Sequence, residues 1–157
     1  GLPGIPLKIP NPELKVTLLH TLNKQIVFLD HIIVTLALKD IQAIHGRAEE
    51  MGRQKDYREQ YDLVTSRAVA ALDTLCEYCL PFVKLGGYFI SMKGSQAQEE
   101  VDQAQDAIRV LGGELKEVIK ITLPSLPWQP QLVVIKKVKA TPKQYPRSGG
   151  KPKSKPL

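Results

Sequence analysis

The stretch VTLLHTLNKQIVFLDHIIVTLALKDIQAIH, residues 16–45, decides the fold. It contains two short apolar runs, at 16–19 and 41–44, and the second run ends before Gly46. Between the runs, apolar residues recur at the spacing of one helix face: Leu22, Ile26, Leu29, Ile33 and Leu36. The pattern predicts a strand, a helix with Thr21 as its N-cap residue, and a second strand. A crossover helix of this kind joins strands that lie parallel in one sheet.

The alternation of strands and helices continues toward the C-terminus. Strands are predicted in four further apolar stretches: 61–65, 88–92, 115–121 and 132–138. We expect Ser66 to open a helix that Pro81 interrupts or ends, a second helix at 96–110, and helix and loop at 47–60. This order is typical of an α/β fold in which crossover helices cover both faces of a parallel sheet.

A glycine-rich loop, GLPG at residues 1–4, opens the chain and leads into a short segment at 5–9. In nucleotide-binding α/β domains such a loop connects the first, central strand to the first helix. No strand precedes the loop here, so we expect a sheet that lacks its first strand.

The composition is that of a globular domain, with 157 residues of which 43% are hydrophobic and 24% charged. Cys76 and Cys79 lie in an apolar, helix-like stretch, and no second cysteine pair could complete a metal site or a disulfide framework, so we expect buried core residues. No apolar run reaches the roughly 20 residues of a membrane span, and no signal-peptide pattern is present. We expect a cytoplasmic monomer that does not enter a membrane.

Positive charge is concentrated at the C-terminal end. Residues 136–157 carry eight of the 22 basic residues and no acid, whereas residues 1–135 have a net charge of −2. Such a segment can neutralise phosphates and release their counterions, or it can simply be a solvated terminus. We therefore expect a domain at 1–140 followed by a basic tail at 141–157.

Whole segments of the chain resemble the RsmG (GidB) family of 16S ribosomal RNA methyltransferases. They are GLPGIPLKI (1–9), VTLLHTLNKQIVFL (16–29), IHGRAEE (44–50), YREQYDLVTSRAVA (57–70), YCLPFVKLGGYFISMKG (78–94), LVVIKK (132–137) and TPKQYPRSGGKPKSKPL (141–157). The resemblance implies a Rossmann-like class I methyltransferase sandwich, here lacking its first strand. It also implies methyl transfer from S-adenosyl-L-methionine to N7 of a guanosine in 16S ribosomal RNA, with the small ribosomal subunit as partner.

The resemblance also implies where the cofactor binds. The residues it assigns to the cofactor are Gly1, Leu2, Gly4, His20, Ala48, Glu49 and Arg67. His20 departs from the family, because nucleotide-binding domains place an acid there to accept hydrogen bonds from the ribose, and we expect weakened cofactor binding. For Glu49 the alternative is a helix-start acid, and for Arg67 a surface arginine paired with Asp62 or Glu59.

Five residues are predicted to contact RNA: Lys93, Tyr145, Arg147, Lys151 and Lys153. Lysine and arginine neutralise phosphates, and a tyrosine can stack on a base or pack back onto its own domain. No catalytic residue is assigned, since guanine N7 offers a lone pair and has no proton to remove. The alternative function is a catalytically impaired remnant that binds RNA without methylating it.

Overall fold

The computed structural model describes residues 4–67, 70–122, 124–125, 127 and 129–157. The chain divides into two compact units, Gly1–Ala48 and Glu49–Leu157. In the part of the chain that the structure describes, no helix is long and apolar enough to cross a membrane.

The first unit contains the predicted strand, helix and strand. Its elements are α1 (Gly4–Lys8), β1 (Val16–His20), α2 (Asn23–Thr35) and β2 (Ile41–His45). The strands are parallel and in register from Val16 opposite Ile41 to His20 opposite His45. The prediction that Thr21 caps α2 is wrong, because the N-cap is Leu22, whose backbone is extended and whose side chain makes no capping hydrogen bond.

A small apolar core holds the first unit together. Ile5, Leu18, Ile26 and Leu29 are buried in it. Gly4 lies where a Cβ atom would overlap the Leu18 side chain, so the absence of a side chain lets α1 approach β1.

The second unit is built on a four-stranded sheet. Its elements are β3 (Tyr61–Ser66), α4 (Leu72–Cys79), a 3-10 turn (Leu80–Phe82), β4 (Val83–Lys93), α5 (Ala97–Gln103), α6 (Gln105–Val110), β5 (Gly113–Lys120), β6 (Gln131–Lys137) and α7 (Lys151–Ser154). The short helix α3 (Ala48–Met51) spans the division between the units. The strand order is β3-β4-β6-β5, in which β3 and β4 are parallel and β6 is antiparallel to both of its neighbours.

Three expectations for this unit need correction. The sheet is mixed, because residues 121–130, which join β5 to β6, are fewer than the roughly dozen that a crossover between parallel strands needs, and the two strands lie antiparallel. Ser66 ends β3, opposite Ser91, and the next helix begins only at Leu72. The helix predicted at 96–110 is divided at Ala104 into α5 and α6.

The helices α4, α5 and α6 pack on one face of the four-stranded sheet. The core between these helices and the sheet contains the buried side chains of Leu72, Leu75, Val101, Ile108, Phe89, Val133 and Ile135. On the other face Leu63, Tyr88 and Ile119 are exposed, so among the described residues of this unit α4, α5 and α6 cover one face rather than both.

The cysteines are core residues of α4, as predicted. Cys76 is fully buried, Cys79 is half-buried, and both are free thiols. Burial raises the pKa of the Cys79 thiol to about 12 and also raises that of Cys76, so neither is a reactive thiolate at neutral pH.

Residues 141–157, here called the C-terminal strap, pack onto the second unit and belong to it. The side chain of Thr141 is buried and donates a hydrogen bond to Leu111 O (2.7 Å). Pro152 is buried, and Tyr145 and Leu157 pack against the core of this unit. The two units divide between residues 48 and 49. The strap therefore belongs to the same unit as the four-stranded sheet that precedes it in the chain.

Candidate functional site

Two histidines lie at the carboxyl ends of the paired strands in the first unit. His20 ends β1 and His45 ends β2, opposite each other in the register. The Nε2 atom of His45 lies 2.8 Å from Thr21 O. The backbone N–H of Gly46 donates to His20 O (3.0 Å). These bonds hold the segments that follow the two strands side by side at the edge where ligands collect in open α/β sheets.

The hydrogen bonding of His20 determines what its ring can offer a ligand. The backbone N–H of Leu22 donates to Nδ1 of His20 at 3.4 Å. In the neutral imidazole the proton is therefore on Nε2, and this nitrogen has no hydrogen-bond partner within the described residues. His20 thus offers a donor where an aspartate or glutamate would offer acceptors.

The other residues predicted to bind the cofactor have different surroundings. Ala48 begins α3, directly after the segment that follows β2, and Glu49 is buried. Gly4 is the first residue of α1. Gly1 and Leu2 lie outside the described residues.

In the second unit, Arg67 follows directly after the carboxyl end of β3 and is exposed. Next to it, the hydroxyl of Ser66 donates to Ser91 Oγ on β4 (3.4 Å). The acids considered as alternative partners of Arg67 are engaged elsewhere, because Asp62 pairs with Lys84 (2.5 Å) and Glu59 with Lys137 (3.1 Å).

Lys93 ends β4 at the same edge, but its side chain is only 2% exposed. Its ammonium group donates to Ala70 O (2.5 Å) and pairs with Glu100 Oε1 on α5 (2.9 Å). The same oxygen accepts the backbone N–H of Leu72 (3.0 Å). The ammonium group is therefore engaged within the protein, and the RNA contact stays a prediction.

Arg147 anchors the C-terminal strap to α4. Its Nη2 atom donates to Glu77 Oε1 (2.7 Å) and its backbone N–H donates to Glu77 Oε2 (2.7 Å). The Glu77 side chain is 1% exposed and that of Arg147 24%. The hydrogen bonds from Arg147 to Glu77 raise the pKa of Arg147. The guanidinium thus satisfies a buried carboxylate, and the half-buried Tyr145 packs beside it on the core.

Residues 53–59 bind the strap at several points that the sequence did not indicate. Arg58 donates to Tyr145 O (2.7 Å) and Thr141 O (2.9 Å), and Arg53 donates to Pro146 O (2.6 Å). Glu59 accepts the backbone N–H of Thr141 (3.1 Å). These partners are more than 80 residues apart in the chain, so no local spacing could have pointed to them.

Lys137 is a second basic residue near the C-terminus that is engaged within the protein, and its side chain is fully buried. Its ammonium group donates to Leu80 O (2.7 Å) and Val83 O (2.9 Å) and pairs with Glu59. Burial lowers the pKa of Lys137, and the hydrogen bond with Glu59 acts in the opposite direction. Two of the eight basic residues at 136–157 therefore stabilise the second unit internally.

Lys151 and Lys153 lie exposed on α7, on either side of the buried Pro152. The hydroxyl of Thr74, in the first turn of α4, donates to Pro152 O (3.2 Å). This bond places α7 beside the first turn of α4, so the strap carries two exposed cations along that helix.

A cavity of about 410 Å³ opens at the carboxyl edge of the four-stranded sheet, on the far side of β4 from Arg67. It is lined by Ser95, Lys120, Pro127, Gln129 and Gln131. The carboxyl edge therefore combines the exposed Arg67 with a recess whose lining includes Lys120 and two glutamines. Within the described residues no group of histidine, cysteine and acidic side chains could hold a metal ion.

Comparison with known proteins gives a consistent assignment. The GidB family, described as rRNA small subunit methyltransferase G, matches residues 1–129. The ribosomal RNA small subunit methyltransferase G of Lactobacillus acidophilus is 52% identical over 157 residues, which are 100% of this chain and 65% of the relative. That of Alkaliphilus metalliredigens is 53% identical over 100% of this chain and 66% of its own length. The chain spans about two thirds of the length of the curated relatives it matches.

The fold agrees with this assignment. An rRNA methylase from Streptococcus thermophilus superposes with a TM-score of 0.58 at 16% identity, over 80% of this chain and 74% of that protein. At this identity the likeness concerns the fold alone, which confirms the expected Rossmann-like class I methyltransferase architecture. The chain belongs to the rRNA small subunit methyltransferase G (GidB) family.

Proposed function

We propose that this chain acts as an S-adenosyl-L-methionine-dependent methyltransferase on N7 of a guanosine in 16S ribosomal RNA, with the small ribosomal subunit as its cytoplasmic substrate. The observation that carries the proposal is the family match, with 52% identity along the whole chain to a ribosomal RNA small subunit methyltransferase G. The exposed Arg67 and the cavity at the carboxyl edge of the four-stranded sheet support it.

The side chains at the carboxyl ends of the strands fit parts of the cofactor chemically. The Nε2–H group of His20 can donate to a ribose oxygen, and the exposed guanidinium of Arg67 can bind a carboxylate through two hydrogen bonds. Gly4, Ala48 and Glu49 complete the described part of the proposed set. S-adenosyl-L-methionine, when bound, supplies an activated methyl group on its sulfonium. Because a histidine occupies position 20, where nucleotide-binding domains place an acid, cofactor affinity is expected to be lower.

The proposed reaction requires little acid–base catalysis by the protein. Guanine N7 carries an available lone pair and no proton, so no general base has to remove one. The residues at the edge then act by positioning the base in line with the methyl group, which is worth several orders of magnitude in rate.

Two of the five residues predicted to contact RNA have the surroundings that the contact needs. Lys151 and Lys153 are exposed on α7, which lies beside the first turn of α4. Arg147 and Tyr145 hold the strap against α4 and the core, so they would act on RNA only through the strap they anchor. We propose that the strap binds RNA phosphates through its exposed lysines.

Methyl transfer to ribosomal RNA is the direct test. Incubation with tritiated S-adenosyl-L-methionine and small ribosomal subunits should label 16S ribosomal RNA, and nucleoside digestion should yield 7-methylguanosine. Arg67→Ala should lower the rate by about tenfold to a hundredfold, as expected when a bidentate hydrogen-bonding group is removed from the reacting site. Arg109→Ala, which removes an exposed arginine of α6, is the matched control and should leave the rate unchanged.

RNA binding without any methyl transfer would contradict the proposed reaction and favour the impaired remnant. Equal rates for wild type and Arg67→Ala would instead remove Arg67 from the site while leaving the reaction itself in place.

The strap lysines can be tested through the salt dependence of RNA binding. Lys151→Gln combined with Lys153→Gln should weaken binding of 16S ribosomal RNA and flatten the log-log salt slope by about 0.7–0.9 for each phosphate that is no longer neutralised. Anisotropy titrations at several salt concentrations measure both quantities. Lys84→Gln combined with Lys116→Gln removes the same charge from two exposed pairs elsewhere on the unit and should leave the slope unchanged. Equal slopes for the two double variants would exclude the strap as an RNA contact.

A further inference from the structure

We infer that the cavity at the carboxyl edge of the four-stranded sheet, here called the edge cavity, holds the target guanine base and selects it over adenine. Lys120 and the amide side chains of Gln129 and Gln131 recognise the base through O6 and the rest of its Watson–Crick edge. The inference rests on the proposed function and deepens it, because it names where the base binds and which side chains distinguish it.

The pairing of β5 with β6 places the side chains of Lys120 and Gln131 next to each other. The two residues are directly opposite in the antiparallel register, and such residues project from the same face of a sheet with their Cβ atoms about 5 Å apart. Just beyond them the backbone N–H of Ile121 donates to O of the buried Pro130 (2.9 Å), which holds the two strand ends together. An ammonium group and an amide group therefore lie side by side in the lining of the edge cavity.

The polar side chains of the edge cavity are available to a ligand. Ser95, Lys120 and Gln129 are exposed, and Gln131 is half-buried. Within the ranges that the structure describes, these four side chains form no hydrogen bond or ion pair, whereas Lys93 at the same edge is engaged inside the protein. The volume of about 410 Å³ lies in the range of about 300–1,000 Å³ that is typical of small-molecule sites, so one nucleobase can enter.

The donors and acceptors of the edge cavity match guanine better than adenine. Guanine presents the acceptor O6 beside the donors N1–H and the N2 amino group, whereas adenine carries the N6 amino group, a donor, in the place of O6. An ammonium group only donates, so Lys120 can bind O6 but would meet the amino group of adenine with a second donor. The amide of Gln131 carries an acceptor and donors, and it can bind N1–H and O6 together. None of these contacts uses N7, which stays free for methylation.

The position of the edge cavity agrees with methyl transfer to N7. Only β4 separates β6, which begins at Gln131, from β3, which ends just before Arg67. Neighbouring strands are about 4.8 Å apart, so the two strand ends are about 10 Å apart along this edge. In helical RNA the groove that contains N7 is too deep and narrow for side chains, so the target base has to leave the stack before it reacts. The edge cavity can receive such an unstacked base beside the strand that Arg67 follows.

Binding of short RNAs tests the inference without any assay of activity. The probe is a uridine-rich single-stranded RNA with one guanosine, compared by fluorescence anisotropy with the same RNA carrying adenosine or 7-deazaguanosine at that position. The wild-type chain should bind the guanosine RNA about tenfold more tightly than the adenosine RNA, as expected for one bidentate base contact. It should bind the 7-deazaguanosine RNA as tightly as the guanosine RNA, because this base lacks N7 and keeps the Watson–Crick edge. Equal affinity for guanosine and adenosine, or loss of affinity for 7-deazaguanosine, would overturn the inference.

Variants of the lining show whether the preference for guanosine arises in the edge cavity. Lys120→Met and Gln131→Ala should each reduce it to about twofold or less, with the affinity for the adenosine RNA nearly unchanged. Lys116→Met on β5 and Gln98→Ala on α5 remove the same groups from exposed side chains outside the cavity and should keep the full preference. If Lys120→Met weakened both RNAs by the same factor, Lys120 would be a phosphate contact and the inference would be overturned. An unchanged preference in both lining variants would overturn it as well.

Failure of the inference and failure of the proposed function can be told apart. If the wild-type chain transfers no methyl group while its preference for guanosine depends on Lys120 and Gln131, the proposed function fails and the edge cavity still selects guanine. If methyl transfer occurs while both lining variants keep the preference, the reaction stands and the base binds elsewhere.

Discussion

Arg147→Met is expected to lower the free energy of unfolding by about 3–5 kcal/mol, because it leaves the carboxylate of Glu77 buried without its cation. Glu77 is 1% exposed and accepts from the guanidinium and from the backbone N–H of residue 147. The raised pKa of Arg147 means that its stabilisation is fully present below the ordinary arginine pKa and is lost only as the pH rises beyond it, so the effect should be constant around neutrality. Urea unfolding followed by circular dichroism measures the loss.

Two further variants test whether the loss of stability comes from the buried pair of Arg147 and Glu77. Arg109→Met breaks the exposed pair of Arg109 with Asp106, whose side chains are 76% and 79% exposed, and should change the free energy of unfolding by no more than about 0.5 kcal/mol. Arg147→Met combined with Glu77→Leu removes both charges and should recover most of the lost stability. A loss below about 1 kcal/mol in Arg147→Met would show that the strap is held by its other contacts.

Hydrophobic spacing predicts a helix or strand when the residues that form its buried face are close together in the sequence. Within the described residues each of the six strands overlaps the apolar run that predicted it, and α2 follows the spacing from Leu22 to Leu36. Strand β4 is longer than predicted, because it begins at Val83 rather than at Tyr88. The direction of β6 could not be predicted in this way, since it depends on which strands become neighbours after the chain turns back. The start of α4 was misplaced because Ser66 is a good cap residue by type, whereas its backbone pairs with β4.

The site was predictable only as far as chain position determines it. Residues at the carboxyl ends of parallel strands, such as His20 and Arg67, could be chosen because the fold class fixes the ligand-binding edge. Whether a basic side chain is exposed or paired with an acid inside the protein could not be predicted in the same way. Lys93 and Arg147 look like surface cations in the sequence, but acids from α5 and α4 meet them in the folded chain. Charge counts therefore overestimated how much of the basic C-terminus is available to RNA.

Gly112→Ala is the second change expected to have a large effect, a loss of about 2–5 kcal/mol in the free energy of unfolding, from left-handed backbone strain and steric overlap together. Gly112 has φ +90°, and a Cβ atom there would overlap the carbonyl oxygen of Lys139. The overlap cannot be relieved cheaply, because Gly112 O accepts the backbone N–H groups of Val138 (2.9 Å) and Lys139 (3.0 Å). These bonds hold the chain where it leaves β6 and enters the strap.

Gly149→Ala separates the two contributions, since Gly149 also has a positive φ, +64°, but has no atom within 4 Å of an added Cβ. It should cost only the backbone strain, about 1–2 kcal/mol. The remainder of the Gly112→Ala effect is then the cost of separating residue 112 from Lys139, measured by urea unfolding of both variants beside the wild type. Equal losses of unfolding free energy in the two variants would mean that Lys139 can move away from residue 112 at no measurable cost. A larger loss at Gly112 would show that the exit of β6 is packed against the start of β5, and that the strap begins from a fixed point on the sheet.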